Sequence, residues 1–197
     1  MNVLEAVTTR RSTRKFKKIR VEKELVDKII EAGRMAPSGG NVQLNHFIVV
    51  QKEDVIERLV ELVEKGFSEM DLRDDMSPSV KFSVTKSKSG GYRYSYNATN
   101  LIIVCNRPEN GNNYNDSACA LQNMMLECNE LDLGSCWVNQ LRWLNGNEEL
   151  NAYLRTLGMK DNEIVFGSII FGYPDNESGI PVRRPQTITG NEVTYVE

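Results

Sequence analysis

The sequence has 197 residues, the length of one domain, and its 40% hydrophobic content suffices for a packed core, so we expect a single domain over residues 1–197. No apolar run approaches the ~20 residues that span a bilayer, and the first residues contain no apolar signal region, so we expect a cytoplasmic protein. The net charge of −3 argues against wholesale binding of nucleic acid, although it leaves room for a local basic patch.

In the first half of the chain, residues 2–10 predict a short helix, and apolar residues at helical spacing predict another over 23–36, ended by Pro37. The compact apolar run HFIVV (46–50) predicts a buried strand. Asp54 with Glu57 three residues later resembles a capping box and predicts the start of a further helix. Residues 66–98 show no clean period, and KSKSGGYRYSYN within them predicts a loop or lid.

In the second half, NLIIVC (100–105) predicts a buried strand. A long apolar stripe then predicts a helix that Asn115 or Asp116 caps and Gly134 ends. SCWV (135–138) predicts a strand, residues 147–157 a short helix, and 163–173 the last strand. Three prolines predict an extended tail over 174–197. Without regular βαβ alternation, the pattern indicates a mixed sheet with helices on both faces.

Several kinds of site are absent from the sequence. There is no dinucleotide fingerprint, P-loop or HExxH motif, and the single histidine, His46, opens a buried strand, where we expect a structural role. The cysteines form no CxxC pair and lie in apolar stretches, so we expect small buried hydrophobes and no metal site. They are Cys105, Cys119, Cys128 and Cys136.

The stretch TRRSTRKFKKIR (9–20) concentrates positive charge. Seven of the eleven residues 10–20 are basic and none is acidic, which leaves 17 basic against 27 acidic residues elsewhere. Arginine forks match phosphate oxygens, a serine hydroxyl adds a donor, and Phe16 with Ile19 would anchor the segment to the core. The cluster predicts a phosphate site, with a solvated basic loop as the alternative.

The stretch APSGGNVQLNHF (36–47) predicts a sharp turn with exposed backbone N–H groups. Its glycines let the backbone approach a flat ligand closely, and Asn41 with Gln43 can match a ring that presents alternating donors and acceptors. The alternative is an ordinary connection between a helix and a strand.

Four segments together resemble the FMN-dependent nitroreductase family. RRSTRKF resembles its RRSxRxF opening, and APSGGNVQLNHF its APSxxNxQPWxF segment. DSACALQNMMLECNELDLGSCWV is similar to its long central helix and GLGSCWI-type strand, and IIFGYPDNESGIPVRRP to its closing strand and basic tail. The segments follow the family's order and spacing over nearly the whole chain. Leu44-Asn45 replaces the family's Pro-Trp, which changes the pocket wall, and residues 66–98 match nothing in the family.

The resemblance implies an α+β fold with a mixed, largely antiparallel sheet flanked by helices on both faces, in a domain-entwined homodimer. It places two FMN molecules at the subunit interface and no catalytic side chain, because hydride chemistry takes place on the flavin. In the first group of implied FMN-binding residues, phosphate and ribityl contacts come from Arg10, Arg11, Ser12, Arg14, Arg183 and Arg184. In the second group, ring contacts come from Pro37, Ser38, Gly39 and Asn41 of the other subunit and from Cys136, Trp137 and Val138.

The implied activity is hydride transfer from NAD(P)H, a transient co-substrate, through bound FMN to a nitroaromatic, quinone or similar small acceptor in a ping-pong cycle. A phosphate monoester carries nearly two negative charges, which suits the basic cluster. Two alternatives stay open. One keeps FMN but carries out dehalogenation or oxidation of a heterocycle, and the other is an anion- or RNA-binding module that uses Arg10–Arg20.

Overall fold

The computed structural model describes residues 1–197. The helices are α1 (Val3–Thr9), α2 (Lys23–Arg34), α3 (Glu53–Ser68), α4 (Pro78–Lys88), α5 (Asn113–Glu130), α6 (Gln140–Trp143) and α7 (Glu148–Thr156). The strands are β1 (His46–Val50), β2 (Asn100–Asn106), β3 (Gly134–Val138) and β4 (Ile164–Gly172). No helix is both long enough and apolar enough to span a membrane.

The four strands form one sheet in the order β1-β2-β4-β3, and every neighbouring pair is antiparallel. The α+β class and the largely antiparallel sheet are thus confirmed. The one parallel contact is an isolated bridge between Ser12 and Ser135, which attaches the N-terminal segment to β3. In this strand order β1 and β3 are the two edge strands, on opposite sides of the sheet.

Helices cover both faces of the sheet, as predicted. Leu101, Ile103 and Cys105 of β2 belong to a core cluster of 24 buried residues. Ile102 and Val104 point to the opposite face and join a second cluster of 12, built with α2 and α5. Because successive side chains of a strand alternate between faces, a strand buried on both sides reads as an unbroken apolar run, as in NLIIVC.

Residues 66–98 contain a helix that the sequence did not predict. In α4, Pro78 occupies the first turn and the side chain of Ser77 accepts a hydrogen bond from the amide of Val80 at 3.4 Å. The buried face of α4 includes Ser83 and Ser87, so small polar residues conceal its apolar period. Of the predicted loop KSKSGGYRYSYN (86–97), the first three residues belong to α4, and the loop begins at residue 89.

The predicted helix boundaries at Asp54 and at Asn115 or Asp116 were wrong. Helix α3 begins at Glu53, after Lys52, without a side-chain cap, and α5 begins at Asn113, so Asp116 lies buried within its first turn. Tertiary partners explain both differences, since Glu57 pairs with Arg93 and Asp116 binds the glycine turn described below.

Gly134 and Cys119 also differ from expectation. Helix α5 ends at Glu130, where Asp132 takes the left-handed conformation (φ 58°), and Gly134 instead begins β3. Cys119 lies on α5 but is exposed, whereas the other three cysteines are buried. A stretch that is apolar on average does not determine which face of a helix meets the core.

His46 has the structural role expected of it. Its Nδ1 lies 2.8 Å from Oε2 of Glu163, a carboxylate that is almost fully buried. Burial by itself would raise the pKa of Glu163, but the hydrogen bonds from His46 and from the amide of Lys160, with the charge of Lys160, hold that pKa below its ordinary value. The pair fixes the start of β1 against the loop before β4.

We expect Glu163→Gln to lower the free energy of unfolding at pH 7 by about 2 kcal/mol. The substitution replaces the charged carboxylate, which accepts hydrogen bonds from His46 and from the amide of Lys160, by a neutral amide that binds both more weakly. The pKa of Glu163 is lower in the folded than in the unfolded protein. The carboxylate therefore stabilises the fold fully at a pH above its unfolded-state pKa, and this stabilisation is lost as the pH falls through its folded-state pKa. Chemical denaturation from pH 7 to pH 3 should show the two stability curves converging. A gap that stays constant would contradict this role.

Candidate functional site

The N-terminal basic segment lies along the end of the sheet near β3. The amide of Thr13 donates to the carbonyl of Ser135 at 2.9 Å, and the amide of Lys17 donates to the carbonyl of Tyr173 at 2.9 Å. Phe16 is buried and anchors the segment, as predicted. The side chain of Ile19 is exposed, so its expected anchoring role was wrong. Two isolated β-bridges, Ser12 with Ser135 and Phe16 with Pro174, hold the segment against the body of the protein, so it is not a solvated loop.

Arg10 has a buried hydrogen-bond donor that the folded chain leaves unpaired. Its guanidinium is half-buried, and Nη1 is buried without a hydrogen-bond partner. Burial, and then the neighbouring charge of Arg11, lower the pKa of Arg10, while Cys136 acts in the opposite direction. Leaving a buried charged donor unpaired is costly, so this N–H is suited to binding an anion.

Of the two neighbouring arginines, Arg11 is hydrogen-bonded within the chain and Arg14 is not. The guanidinium of Arg11 donates to the carbonyls of Thr8, at 3.0 Å, and of Arg10. Arg14 is exposed, makes no ion pair or side-chain hydrogen bond, and lies over the ring of Tyr96 at 5.9 Å. Of these arginines, Arg10 and Arg14 therefore have free donors, whereas Arg11 is held by the backbone.

A cleft of about 430 Å³ opens beside Arg14. One wall is β3, with Cys136 and Val138, and the opposite wall comes from α4 and the loop after it. The residues on that opposite wall include Phe82, Ser83, Tyr92 and Tyr96. This wall was not predicted from the sequence, because residues 66–98 show no clean period. Tyr92 and Tyr96 line the cleft, whereas Tyr94 between them is fully buried.

Strand β3 divides its three predicted ring contacts between the faces of the sheet. Cys136 and Val138 pack in the larger core cluster, on the side of the cleft, whereas Trp137 packs against the cluster of α2 and α5. The indole Nε1 of Trp137 donates to Oδ1 of Asn139 at 2.7 Å. Trp137 therefore stabilises the strand from behind.

The thiol of Cys136 is held in its protonated form. Burial raises its pKa, and this effect outweighs Arg14, the hydrogen bond with Ser12 and Arg10, all of which lower it. The sequence places no basic residue within several positions of Cys136, but folding brings both arginines close. We expect Cys136→Ser to keep most of the flavin-dependent turnover that the family resemblance implies, because no thiolate is available as a nucleophile. The measurement is turnover at saturating FMN, and a hundredfold loss with FMN still bound would contradict it.

The glycine turn, residues 37–43, is fixed by hydrogen bonds and by close packing. The amide of Gly39 donates to Oδ1 of Asp116 at 3.0 Å, and a side chain at Gly39 would collide with Asn112. The amide of Gln43 donates to Ser38 Oγ at 3.0 Å, and the side-chain amide of Gln43 donates to that of Asn41 at 2.9 Å. The two predicted ring-matching amides thus already bond to each other. Pro37, Ser38 and Asn41 line a second cleft of about 430 Å³.

Asn45, which departs from the family pattern, points into the protein. Its Nδ2 donates to the carbonyl of Asp116 at 3.1 Å, and its Oδ1 accepts from Asn106 and Ser117 at 2.9 and 2.8 Å. Asn45 therefore fastens the turn to β2 and α5 and is committed to those contacts rather than to a ligand.

The glycine turn and the N-terminal segment lie at opposite corners of the sheet. The turn precedes His46 on the β1 edge, whereas Cys136 on the β3 edge shares a row with Val50, at the far end of β1. Three strand spacings alone separate the edges by about 14 Å. One chain does not bring the two groups of predicted site residues together.

Arg183 is close to the N-terminal segment, and Arg184 is not fixed. The guanidinium of Arg183 donates to Asn129 Oδ1 at 3.2 Å and pairs with Asp132 at 2.7 Å. Asn129 also donates to the carbonyl of Ala6 in α1 at 3.3 Å. Arg184 is exposed and forms no ion pair. The tail thus returns to the end of α5 that lies beside the basic cluster.

Comparison with known proteins identifies the family. The sequence model of the nitroreductase family matches residues 7–173. The chain belongs to the nitroreductase family. A nitroreductase from Bacteroides fragilis, crystallised with bound FMN, is 32% identical and superimposes with a TM-score of 0.86 over 100% of both chains.

Two further relatives of this nitroreductase-family chain are more distant. A nitroreductase from Desulfitobacterium hafniense, also crystallised with bound FMN, shares the fold with a TM-score of 0.81 over 100% of both chains at 23% identity. A protein from Archaeoglobus fulgidus named "Putative NADH dehydrogenase/NAD(P)H nitroreductase" is 28% identical over 179 residues, covering 88% of this chain and 86% of that protein.

Proposed function

We propose that this chain is an FMN-dependent oxidoreductase that transfers hydride from NAD(P)H, through bound flavin, to a nitroaromatic, quinone or similar acceptor. The observation that carries the proposal is the buried, unpaired Nη1 of Arg10. The guanidinium is close enough to Cys136, in the wall of the cleft along β3, for its charge to lower the pKa of that thiol. The fit to FMN is supported by the Bacteroides fragilis relative, whose crystal structure contains bound FMN.

The residues in and near the cleft suit a phosphorylated flavin. Arg10 and Arg14 would hold the phosphate by charge-assisted bonds, with Ser12 as a further donor and Arg183 near the same end of α5. Cys136 and Val138 would pack along the ring. FMN supplies the hydride chemistry when bound, and the protein binds, orients and excludes water. This division of labour fits a site whose one histidine is already committed to Glu163.

The aromatic wall would select the acceptor. The hydroxyl of Tyr92 lies 3.0 Å from Ser83 Oγ and accepts from Gln140 Nε2 at 2.8 Å, so its ring is fixed at the cleft. Phe82 meets that ring edge-on, with centroids 6.3 Å apart, although its own side chain is 53% exposed. Aromatic faces stack on flat, delocalised molecules, which favours nitroaromatics and quinones over aliphatic acceptors.

A homodimer would complete the site. The glycine turn, with Pro37, Ser38, Gly39 and Asn41, lies too far from Cys136 to share a ligand within one chain, so we propose that the turn of a second copy covers the flavin. Helix α1 supports an interface, because Val3 and Leu4 are 79% and 72% exposed and only Ala6 is buried. Such a pair would form two equivalent sites.

The RNA-binding alternative has little support, since the basic cluster does not form one open face. Arg10 is half-buried, Arg11 is held by carbonyls, Lys15 pairs with Asp175 at 3.2 Å and Arg20 bonds to Gln51. Dehalogenation and heterocycle oxidation use the same flavin. In the assay a halogenated substrate would replace the acceptor, whereas a heterocycle that is oxidised would replace NAD(P)H as the hydride donor.

The experiment begins with a visible absorption spectrum of the purified protein. We expect flavin bands, about one FMN per chain and a dimer by light scattering. Anaerobic NAD(P)H should bleach the bands, and a quinone or nitroaromatic should restore them, with parallel double-reciprocal plots for a ping-pong cycle. A colourless protein that binds no added FMN contradicts the proposal, and a monomer that holds FMN tightly contradicts the shared site.

A further inference from the structure

A basic trough lies beside the cleft, between the N-terminal segment and the loop after α4. Its volume is about 840 Å³, and five cationic side chains line it against one carboxylate, that of Asp175. The cationic residues are Arg14, Lys15, Lys17, Lys18 and Arg93. In a chain with a net charge of −3, this concentration of positive charge in one groove indicates an anionic ligand.

Three of the five cations have no carboxylate partner. Lys15 pairs with Asp175 at 3.2 Å, and Arg93 pairs with Glu57, which lies outside the trough. Arg14, Lys17 and Lys18 form no ion pair and no side-chain hydrogen bond, although the charge of Lys18 reaches Glu57. Because Arg14 already belongs to the proposed flavin phosphate site, Lys17 and Lys18 are left for a second anion.

The trough is continuous with the cleft. Arg14 and Tyr96 line both, so a ligand with one end over the flavin can place its other end among the lysines. Backbone bonds to Ser135 of β3 and to Tyr173 and Asp175 after β4 fix this segment, and the buried Phe16 anchors it. Lys17 and Lys18 follow Arg14 by three and four residues, so they lie at most about 10–14 Å beyond it. The ligand is therefore elongated and is anionic at its outer end.

We propose that the trough binds the phosphates of the nicotinamide dinucleotide, and that Lys17 and Lys18 take the 2′-phosphate that NADPH has and NADH lacks. The inference rests on the proposed function and deepens it by naming the preferred hydride donor. A phosphate monoester carries nearly two negative charges, and ammonium groups bind it as point charges. NADPH is therefore the better co-substrate.

The test uses the FMN-loaded protein with a neutral quinone at fixed ionic strength. We expect the wild type to favour NADPH, and the double variant Lys17→Gln/Lys18→Gln to lower kcat/KM for NADPH by about tenfold, mainly through KM, since two charge-assisted contacts are lost. Turnover with NADH should stay within about twofold because that donor lacks the contacted group. The variant Lys17→Arg/Lys18→Arg should retain the preference.

The matched control is Lys28→Gln, which removes one exposed, unpaired lysine from α2 and should change neither donor. Equal use of NADPH and NADH by the wild type, or an equal loss of both in the double variant, would overturn the inference while leaving the flavin function intact. A loss confined to an anionic quinone would assign the trough to the acceptor and would also overturn it. If dithionite but neither dinucleotide reduces the flavin, the proposed function itself fails.

Discussion

Arg10→Ala is expected to weaken FMN binding by about tenfold to a hundredfold, while riboflavin binding changes little. Nη1 of Arg10 is buried without a partner, so a phosphate oxygen would supply the bond that the folded chain lacks. A hydrogen bond between charged groups contributes about 1.5–3 kcal/mol, and riboflavin has no phosphate with which to form it. The effect should exceed that of Arg14→Ala, because exposed Arg14 is more strongly screened by solvent.

The measurement is titration of the apoprotein with each flavin, followed by quenching of flavin fluorescence. Arg11→Ala is the internal comparison, since the Arg11 guanidinium is already bonded to carbonyls and should contribute less to phosphate binding. Equal weakening of FMN and riboflavin by Arg10→Ala would mean that the arginine supports the fold and not the phosphate.

The second large effect is expected from Gly134→Ala. A methyl group there would lie 2.6 Å from Oγ1 and Cγ2 of Thr13, so the N-terminal segment would have to move away from β3. Overpacking of this kind costs about 1–3 kcal/mol of folding stability. Because the same segment carries Arg10 and Arg14, we also expect FMN affinity to fall.

Thermal unfolding and FMN titration check this prediction together. Gly111→Ala is the matched control, since nothing lies within 4 Å of a methyl group at that position. Adding Thr13→Gly to Gly134→Ala removes the clashing side chain and should restore most of the FMN affinity. If the double variant binds FMN no better than Gly134→Ala, the segment is not positioned by this contact.

Elements with a strong local signal were predictable from the sequence. The unbroken run NLIIVC became the doubly buried strand β2, and the helices of 23–34 and 113–130 follow from their apolar stripes. The basic cluster by itself also indicated a phosphate site, because seven cations without a carboxylate are costly unless solvent or an anion compensates them. Local periodicity and local charge are properties of neighbouring residues, so the sequence alone determines them.

Contacts between distant residues were decided by the tertiary structure. The sequence predicts that Asp116 caps a helix, but in the structure its carboxylate accepts a hydrogen bond from the amide of Gly39, 77 positions away. Cys136 has no basic neighbour along the chain, but it lies beside Arg10 and Arg14, and its burial still keeps the thiol protonated. The physical reason is that burial, charge pairing and close packing depend on separation in space, which the antiparallel sheet sets by joining strands far apart in the chain.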